Sequence, residues 1–354
     1  MYKHRFAGCA SGRASGTKTY CSKIFSMTMQ TQVMAPSPLQ PLSGQGVLRI
    51  SRLDRRAHES REGCLLKVCT VNVGTLIGKK REVAYMLERR SADICAVQEV
   101  RYKGRGSTTI TAADCKYKFY YSGNDSRTNG VGLFIRDVLM ENVFSVEYYS
   151  DRIMKVQMVL GRRVYHVFSI YAPQTGRSAR EKEEFMNQLE DLVSEIPDSD
   201  GIVLAGDFNS HIGRERSGYE DIAGPYCYGS LNPEGRMLLD FCKYQNLKKA
   251  NTYFKKDREK LITFKSGDAA TQIDFVLWRP IPDLKILDCK VIPGEECLTQ
   301  HRLLRADFKF AIPIKKKWKG RKKLRVLTLK EQDTQIEFSG LIENGLKNYT
   351  GSWN

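Results

Sequence analysis

Between residues 65 and 311, short apolar segments alternate with longer segments in which apolar residues recur every three or four positions. The short segments, such as 65–73 and 201–206, predict buried strands, because continuous apolar runs of this length are typical of strands covered on both faces. The longer segments, such as 79–90 and 178–196, predict amphipathic helices. No internal repeat relates these segments. The pattern indicates one α/β domain that is built from two stacked sheets flanked by helices.

The bounds of the single elements follow from the same patterns. Ser178 is a predicted N-cap, and the helix behind it carries Phe185, Leu189, Leu192 and Ile196 on the side that we expect to be buried. The remaining predicted elements are the helix 232–247 and the strands 93–97, 130–136, 155–160, 164–173, 272–278, 285–291 and 305–310.

Positive charge is concentrated at both ends of the chain, whose formal net charge is +17. Residues 1–62 hold ten basic and three acidic residues, so we expect a disordered basic leader. Residues 315–354 hold ten basic and four acidic residues. They predict a basic C-terminal tail, the remnant of a linker. Its first part, 315–325 (KKKWKGRKKLR), suits nucleic-acid binding or nuclear localisation. The nearly balanced stretch 63–314 is the predicted domain.

Composition excludes several classes of protein. No run of 18 apolar residues is present, which excludes a membrane-spanning helix, and the N-terminus lacks the apolar stretch of a signal peptide. The ten cysteines form no CxxC pair and no Cys/His set with the spacing of a zinc site. We therefore expect reduced thiols in a nuclear or cytoplasmic protein, with no membrane partner and no small-molecule cofactor.

Polar side chains stand at or next to the ends of several predicted strands: Asn72, Glu99, Tyr171, Asp207 and Asp274. A carboxylate buried there is unfavourable unless it accepts hydrogen bonds or binds a cation. Oxygen donors without cysteine suit Mg²⁺ or Mn²⁺ better than Zn²⁺. On composition alone, a metal site and an ordinary cap or loop contact are equally open for each of these residues.

Five local sequences occur in one order along the chain: VQEVR around Glu99, YAP at Tyr171, LAGDFNSHIG around Asp207, QIDFVL around Asp274, and QHRLLRADF from Gln300. This order resembles the endonuclease/exonuclease/phosphatase superfamily, which includes apurinic endonucleases, DNase I-like nucleases and inositol phosphatases. The resemblance covers residues 65–311 and implies a DNase I-like fold with four layers, α/β/β/α. A narrower resemblance, to the endonuclease domain of RTE-type non-LTR retrotransposons and to open reading frames derived from them, rests on CTVNVGTL, LNPEGRMLLDFC and NTYFKKDREKLITFKSGDAATQIDFVL.

The resemblance implies a set of metal ligands. Glu99 stands where the family has its metal-binding Glu, and Asn72 where an Asn supports the metal and contacts the scissile phosphate. Gln300 replaces an Asp that usually contributes to the metal site, and Gly74 replaces a further Asp of apurinic endonucleases. Because Gln keeps an oxygen ligand but lacks the negative charge, we expect weaker metal affinity and an activity that is weak, favours Mn²⁺, or is lost.

The resemblance also implies catalytic roles. Asp207 matches the Asp that orients or deprotonates the attacking water, and Asn209 the Asn that donates a hydrogen bond to the phosphate. His301 matches the His that contacts the phosphate oxygen, and Asp274 the Asp that holds its imidazole. Tyr171 matches a Tyr that faces the phosphate.

Three predicted surface segments, 102–106, 122–128 and 213–218, match family loops that approach DNA. They would bring a group of basic side chains towards the phosphate backbone: Arg101, Lys103, Arg105, Arg127 and Arg214. For each residue, an ordinary solvated position is equally open.

The activity implied by the resemblance is metal-dependent DNA nicking that leaves a 3′-hydroxyl and a 5′-phosphate, with Mg²⁺ as the cofactor and Mn²⁺ as an alternative. Because only residues 315–354 follow the domain, we expect it to act without the reverse transcriptase of the complete element. A nucleic-acid-binding remnant with weakened or lost catalysis is an alternative, which Gln300 favours. An inositol or lipid phosphatase is a further alternative, which the narrower match disfavours.

Overall fold

The computed structural model describes residues 64–125, 127–295, 297–298, 300–311, 336–337 and 339–343. The helices are α1 (Lys80–Arg89), α2 (Ala179–Ser194) and α3 (Pro233–Tyr244), and residues 336–337 and 339–343 are also helical. The strands are β1 (Cys64–Asn72), β2 (Ile94–Gln98), β3 (Gly104–Thr111), β4 (Lys116–Gly123), β5 (Val131–Arg136), β6 (Val143–Tyr148), β7 (Ile153–Leu160), β8 (Arg163–Tyr171), β9 (Gly201–Asp207), β10 (Lys248–Lys249), β11 (Phe264–Ser266), β12 (Ala269–Thr271), β13 (Asp274–Trp278), β14 (Leu284–Ile292) and β15 (Leu303–Phe310). The predicted leader 1–62 and the basic segment 315–325 lie outside the described residues, so the domain boundaries stay predictions.

Two sheets form the domain, and each has a pair of parallel strands at its centre. The first has the strand order β14-β15-β1-β2-β5-β4-β3, and the second β10-β13-β9-β8-β7-β6, while β11 and β12 form a separate hairpin. At the centre of the first sheet, β1 and β2 are parallel and are connected through α1. At the centre of the second, β8 and β9 are parallel and are connected through α2. Since parallel strands end at the same edge, each sheet presents two carboxyl-terminal strand ends side by side.

Successive side chains of the central strands point alternately into two different hydrophobic cores. In β9, Val203 and Ala205 lie in the core between the sheets, whereas Ile202 and Leu204 lie in a second core with Leu189 of α2. On the outer face of the first sheet, a third core joins side chains of β1 and β2 to α1 through Cys69, Val71, Cys95, Val97, Val83, Met86 and Leu87. This arrangement confirms the predicted α/β sandwich with helices on both outer faces.

The longest predicted helix forms much as expected. The Ser178 side chain accepts a hydrogen bond from the Glu181 backbone N–H at 3.2 Å, which confirms the N-cap. Phe185, Leu189 and Val193 are the buried residues of α2, Ile196 just after the helix is buried as well, and Leu192 is half-buried against the same core.

The prediction of loops at 102–106 and 122–128 was partly wrong. Strand β3 begins at Gly104, strand β4 continues to Gly123, and the two pair as a hairpin at the edge of the first sheet. Most side chains of β3 are exposed or half-buried, and only Ile110 is buried. Because such a strand lacks apolar alternation, its sequence reads as a loop.

Two findings bear on the composition. All but one of the eight described cysteines are buried, the exception being the half-buried Cys297. Burial raises the pKa of the Cys242 thiol to about 12, so this side chain stays protonated and packs as a small apolar group. Within the described residues, no helix is both long enough and apolar enough to cross a membrane.

Candidate active site

The ends of the central strands meet at one cleft of about 660 Å³, which we call the central cleft. Asn72 is the last residue of β1, and Glu99 directly follows β2. Tyr171 ends β8 and pairs in register with Asp207 at the end of β9, which in turn pairs with Asp274 at the start of β13. The two sheets therefore bring together polar side chains that lie up to about two hundred residues apart in the sequence.

Asn72 joins the two sheets at the floor of the central cleft. Its Nδ2 donates to Glu99 Oε1 at 2.9 Å and to Asp207 Oδ2 at 3.1 Å. Its Oδ1 accepts from the Gly74 N–H at 2.9 Å, in a turn where Gly74 has a φ of +64°, a value that favours glycine. Because the amide oxygen is held by the turn, the amide nitrogen faces both carboxylates.

Glu99 is surrounded by hydrogen-bond donors. It accepts from Asn72, from the Tyr171 hydroxyl at 2.9 Å, and from Arg101 Nη2 at 3.0 Å. Burial alone would raise its pKa, but these donors outweigh burial and lower the pKa below its usual value. The φ of Glu99 is +53°, an unusual backbone conformation for this residue type, and such strain is concentrated at functional sites. Glu99 therefore enters the cleft as an ionised carboxylate.

The environment of Asp207 shifts its pKa in the direction opposite to that of Glu99. Its side chain is almost completely buried, and the nearby carboxylate of Asp274 adds a like charge. These two effects raise the pKa of Asp207 well above its usual range, although hydrogen bonds from Asn72 and from the Asn209 backbone act against them. The result is a carboxylate with more than ordinary affinity for a proton.

His301 lies between the two aspartates. Its Nδ1 is 3.0 Å from Asp274 Oδ2, and its Nε2 is 3.8 Å from Asp207 Oδ2. Burial alone would lower its pKa, but the Asp274 and Asp207 carboxylates outweigh burial and raise it to about 9. Imidazolium is therefore its main form at neutral pH, with Nδ1 donating to Asp274.

The position of Asp274 is fixed by its own backbone. The Thr263 hydroxyl oxygen accepts from the Asp274 N–H at 3.0 Å, and Asn251 Nδ2 donates to the Asp274 carbonyl at 2.9 Å. The Phe264 ring meets the imidazole edge-to-face, with 4.9 Å between the ring centroids. These contacts hold the Asp274–His301 pair in place.

Asn209 and Tyr171, two of the predicted catalytic residues, are already partly engaged. Asn209 has a φ of +46°, and its Nδ2 donates to the Ala172 carbonyl at 2.8 Å. An amide nitrogen carries two hydrogens, so one remains for a ligand in the cleft. The Tyr171 hydroxyl, whose pKa is raised by burial and by the Glu99 charge, donates to Glu99.

The donors in the central cleft fit a divalent cation. Asp207, Asp274 and His301 offer ligand atoms that all lie within 4.8 Å of one another. Since His301 and Asp274 bond each other and the Asn72 amide oxygen accepts from Gly74, the donors better placed to take a cation are the carboxylate oxygens of Glu99 and Asp207. Oxygen donors of this kind suit hard ions such as Mg²⁺ or Mn²⁺.

Gln300, the third predicted metal ligand, lies at the rim of the central cleft. Its side chain is exposed, and Nε2 donates to the Ser266 hydroxyl at 3.0 Å. The structure thus brings Glu99 and Asn72 into contact but leaves Gln300 bonded to the β11–β12 hairpin.

The predicted basic residues divide into three groups. Arg101 lines the central cleft, where its guanidinium pairs with Glu99. Lys103, Arg105 and Arg127 are exposed, and Arg127 pairs with Asp125 at 3.2 Å. Arg214 is also exposed and lines a second cleft. Of the five predicted residues, Arg101 alone lines the central cleft.

His211 and Gln174 are among the residues lining the central cleft that sequence reasoning missed. Gln174 Nε2 lies 3.4 Å from the Tyr171 hydroxyl, and it directly follows the YAP sequence. His211 stands two positions after Asn209. Both are polar residues next to recognised motifs, and this adjacency is the signal that could have identified them.

The sequence between residues 69 and 285 matches the endonuclease/exonuclease/phosphatase family. The chain belongs to this family. Its relatives include craniofacial development protein 2 of Bos taurus, 28% identical over 270 residues that cover 75% of this chain and 45% of the relative. The protein of the same name from Tragulus javanicus is 27% identical over 268 residues, which cover 74% and 46%. This family member thus spans less than half the length of those relatives.

Solved structures share the fold of this family member. The catalytic domain of Xenopus laevis APE2 aligns with a TM-score of 0.54 at 16% identity, covering 69% of this chain and 92% of that one. An AP endonuclease from Archaeoglobus fulgidus aligns with a TM-score of 0.50 at 16% identity, covering 68% and 98%. The endonuclease domain of TRAS1, a telomere-specific non-LTR retrotransposon, gives a TM-score of 0.48 at 14% identity, covering 70% and 99%. The first two likenesses confirm the DNase I-like fold.

Proposed function

We propose that this protein is a divalent-metal-dependent DNA endonuclease that leaves a 3′-hydroxyl and a 5′-phosphate. The observation that carries the proposal is the pair of carboxylates on either side of Asn72, whose pKa values are shifted in opposite directions. Two carboxylates in one cleft whose pKa values are shifted in opposite directions are typical of a site that needs one charged group and one proton acceptor. Membership of the family supports phosphoester hydrolysis, and the two AP endonuclease neighbours favour DNA as the substrate.

Glu99 would hold the ion, which we propose to be Mg²⁺ with Mn²⁺ as an alternative, and Asn72 supports the metal site by donating to the Glu99 carboxylate. A bound divalent cation would offset the negative charge that builds up on the phosphate during hydrolysis. Tyr171 holds Glu99 in place through its hydroxyl, so we assign it a positioning role beside this carboxylate rather than direct contact with the phosphate.

Asp207 accepts the proton of the attacking water. A general base works best when its pKa lies near the working pH, and burial beside Asp274 moves the pKa of Asp207 in that direction. The Asn209 N–H holds Oδ1 at 3.0 Å, and this bond fixes the orientation of the carboxylate. The proton acceptor is thereby positioned before substrate arrives.

His301 donates a hydrogen bond to a phosphoryl oxygen. Its Nδ1 is bonded to Asp274, which leaves Nε2–H for the substrate and keeps the ring charged at neutral pH. The remaining N–H of Asn209 Nδ2 adds a neutral donor, which does not repel the anion. Charged and neutral donors fixed in advance stabilise the negative charge of the transition state.

The surface cations extend this site towards the DNA backbone. We propose that they contact phosphates outside the cleaved bond: Arg101, Lys103, Arg105, Arg127 and Arg214. We also propose a nuclear location, which the basic segment 315–325 supports.

Nicking of supercoiled plasmid DNA by the full chain tests the proposal, with Mg²⁺, Mn²⁺ or EDTA in parallel. We expect metal-dependent conversion to open circles, and we expect His301→Ala to slow it by about 100-fold or more, the scale of a lost positioned catalytic group. Absence of nicking with both metals would contradict the proposal, as would hydrolysis of a soluble inositol polyphosphate without cleavage of DNA.

A nucleic-acid-binding remnant is the second candidate, because Gln300 is neutral and points its amide at Ser266. Under this alternative the wild-type chain binds DNA without nicking it, while Gln300→Asp restores nicking.

A further inference from the structure

The amino group of Lys249, on strand β10, is enclosed in the second core. The residue is 1% exposed, and its Nζ has no hydrogen-bond partner among the described residues. The centre of the Phe275 ring lies 4.5 Å from Nζ. A buried ammonium group without acceptors is unfavourable, because it loses its hydration and gains no hydrogen bond in return. The face of an aromatic ring attracts a cation but replaces only part of that hydration.

No carboxylate next to Lys249 compensates for its charge. The titratable groups that act on it are the Cys227 thiol in the loop before α3 and the Cys242 thiol on α3. Burial raises the pKa of both thiols, so they stay protonated and uncharged. Asp274 belongs to the neighbouring strand β13, but it points to the opposite face of that strand from Phe275.

The loop before α3 touches Lys249 through its backbone. Ala223 and Lys249 form an isolated parallel β-bridge. The acidic residues that precede this contact, Glu220 and Asp221, are exposed. Arg216 Nη1 donates to the Ala223 carbonyl at 3.2 Å, so this loop brings a second positive charge and not a counter-charge.

Residues 248–252, which we call the β10 segment, also support the strand that carries Asp274. Lys249 pairs in register with Leu277 of β13. Two positions later, Asn251 Nδ2 donates to the Asp274 carbonyl at 2.9 Å, and Asn251 Oδ1 accepts from the Val276 N–H at 3.2 Å. The segment that encloses the amine is thus the segment that holds the backbone of Asp274, and water reaches the amine when this segment opens.

We propose that Lys249 is a proton-dependent switch behind the Asp274–His301 pair. With a neutral amine, the β10 segment stays closed on β13. When the amine takes up a proton, the segment opens more often, water hydrates the ammonium group, and Asn251 releases the Asp274 carbonyl. The proposal deepens the proposed function and rests on it, because it takes the Asp274–His301 pair as part of the catalytic site.

The pH range of the switch follows from the two states of the amine. Burial lowers the pKa of Lys249 from its usual 10.5 to about 8, and the hydrated amine of the open segment has the usual value. Between these two values the open state binds more protons than the closed state, so opening becomes rarer as the pH rises through this range. The ratio of open to closed chains should fall by about ten-fold between pH 7 and pH 9.

Hydrogen exchange of the Val276 amide, in the full chain with EDTA and without DNA, tests the proposal. This amide is protected by Asn251, so its exchange rate, corrected for the intrinsic pH dependence of exchange, reports the open population. We expect the ten-fold fall between pH 7 and pH 9 in the wild-type chain. Lys249→Met removes the charge and keeps the length of the side chain, so exchange at pH 7 should be at least ~ten-fold slower and independent of pH.

Two further variants frame this comparison. Lys248→Met is the matched control, because Lys248 is the half-buried neighbour of Lys249 on β10, and it should behave as the wild-type chain. Lys249→Arg keeps its charge at both pH values and should exchange fast at both. If Lys249→Arg does not fold, Lys249→Met and the pH dependence of the wild-type chain still decide.

Equal exchange of the Val276 amide in the wild-type chain and in Lys249→Met at pH 7 would overturn the proposal. A change of equal size at the Val68 amide, in β1 of the first sheet, would overturn it as well, because Lys249 would then act on global unfolding. Plasmid nicking reports separately on the proposed function, so a chain that opens as expected but does not nick would contradict the nuclease and not the switch.

Discussion

Glu99 and Asp207 accept hydrogen bonds from the same amide nitrogen, yet their environments shift their pKa values in opposite directions. Glu99, at the end of the first sheet's β2, is half-buried among donors that include the Arg101 guanidinium. Asp207, at the end of the second sheet's β9, is fully buried and faces the carboxylate of Asp274. Because the shared amide lowers the pKa of both groups, the opposite shifts arise from what differs between them: deeper burial and a like charge at Asp207, and further hydrogen-bond donors at Glu99.

The difference assigns one task to each carboxylate. The first sheet supplies a carboxylate that stays ionised, which suits a cation ligand. The second sheet supplies a carboxylate that takes up a proton readily, and the imidazolium of His301, which precedes β15 of the first sheet, lies beside it. Sites for acid–base chemistry are commonly built by separating the pKa values of neighbouring groups in this way.

The largest effect should come from removing the proton acceptor. Asp207→Asn keeps an oxygen for the Asn209 N–H but does not accept a proton, so nicking should fall by about 100-fold or more. Plasmid conversion with Mg²⁺ or Mn²⁺ measures the loss. Asp198→Asn is the matched control, because Asp198 is a fully exposed residue in the loop before β9. A similar loss in the control, or activity above one tenth of wild type in Asp207→Asn, would contradict the assignment.

A smaller, pH-dependent effect should follow from Asp274→Asn. Asp207 must be deprotonated and His301 protonated, so nicking should rise as pH passes the raised pKa of Asp207 and fall as pH passes about 9. Without the Asp274 charge the pKa of His301 drops, and the alkaline limb should move down by about one unit or more. Rate profiles of both proteins check this. An alkaline limb that stays in place would show that His301 is not the group that titrates there.

The smallest effect concerns the rim of the central cleft. Gln300→Asp adds a negative charge there and exchanges the amide that donates to Ser266 for an acceptor. We expect a gain of about three- to ten-fold in nicking at low Mg²⁺, which corresponds to about 0.7–1.4 kcal/mol. Titration of the rate with Mg²⁺ measures the gain. Ser266→Ala with Gln300 unchanged is the control, and a gain of equal size in it would point to release of the Gln300 side chain instead of added charge.

The sequence was informative where burial is strong. Segment 201–206 is apolar and central in the second sheet, and its polar ending, Asp207 and Asn209, reached the central cleft as predicted. The helix after Ser178 was equally predictable from the sequence, because an N-cap and a regular apolar stripe both mark it. In these elements the local sequence pattern and the tertiary contacts agree.

The sequence was less informative where contacts span the two sheets. Asn72 and Asp207 lie 135 positions apart, and no local pattern shows that they share a hydrogen bond. The pairing of Arg101 with Glu99 depends on a left-handed turn at both residues, with φ values of +55° and +53°, which residue type does not predict. Strand β3 was missed because an exposed edge strand carries no apolar alternation.

Thermal unfolding of Glu99→Gln and Asp207→Asn at pH 8, in EDTA and then in Mn²⁺, tests the division of tasks most directly. Because folding lowers the pKa of Glu99, its ionised form stabilises the fold at every pH above its usual pKa, and Glu99→Gln should lower the Tm. Because folding raises the pKa of Asp207, its ionised form opposes folding at this pH. Asp207→Asn should therefore raise the Tm by about 2–4 °C, the effect of about 1 kcal/mol in a domain of this size.

Mn²⁺ should raise the Tm of the wild-type chain and of Asp207→Asn, since binding to the folded state alone stabilises it. It should leave the Tm of Glu99→Gln nearly unchanged. Opposite shifts in EDTA, with the response to Mn²⁺ lost in Glu99→Gln alone, are the predicted result. A lower Tm in both variants, or an equal response of both to Mn²⁺, would contradict the division of tasks between the two carboxylates.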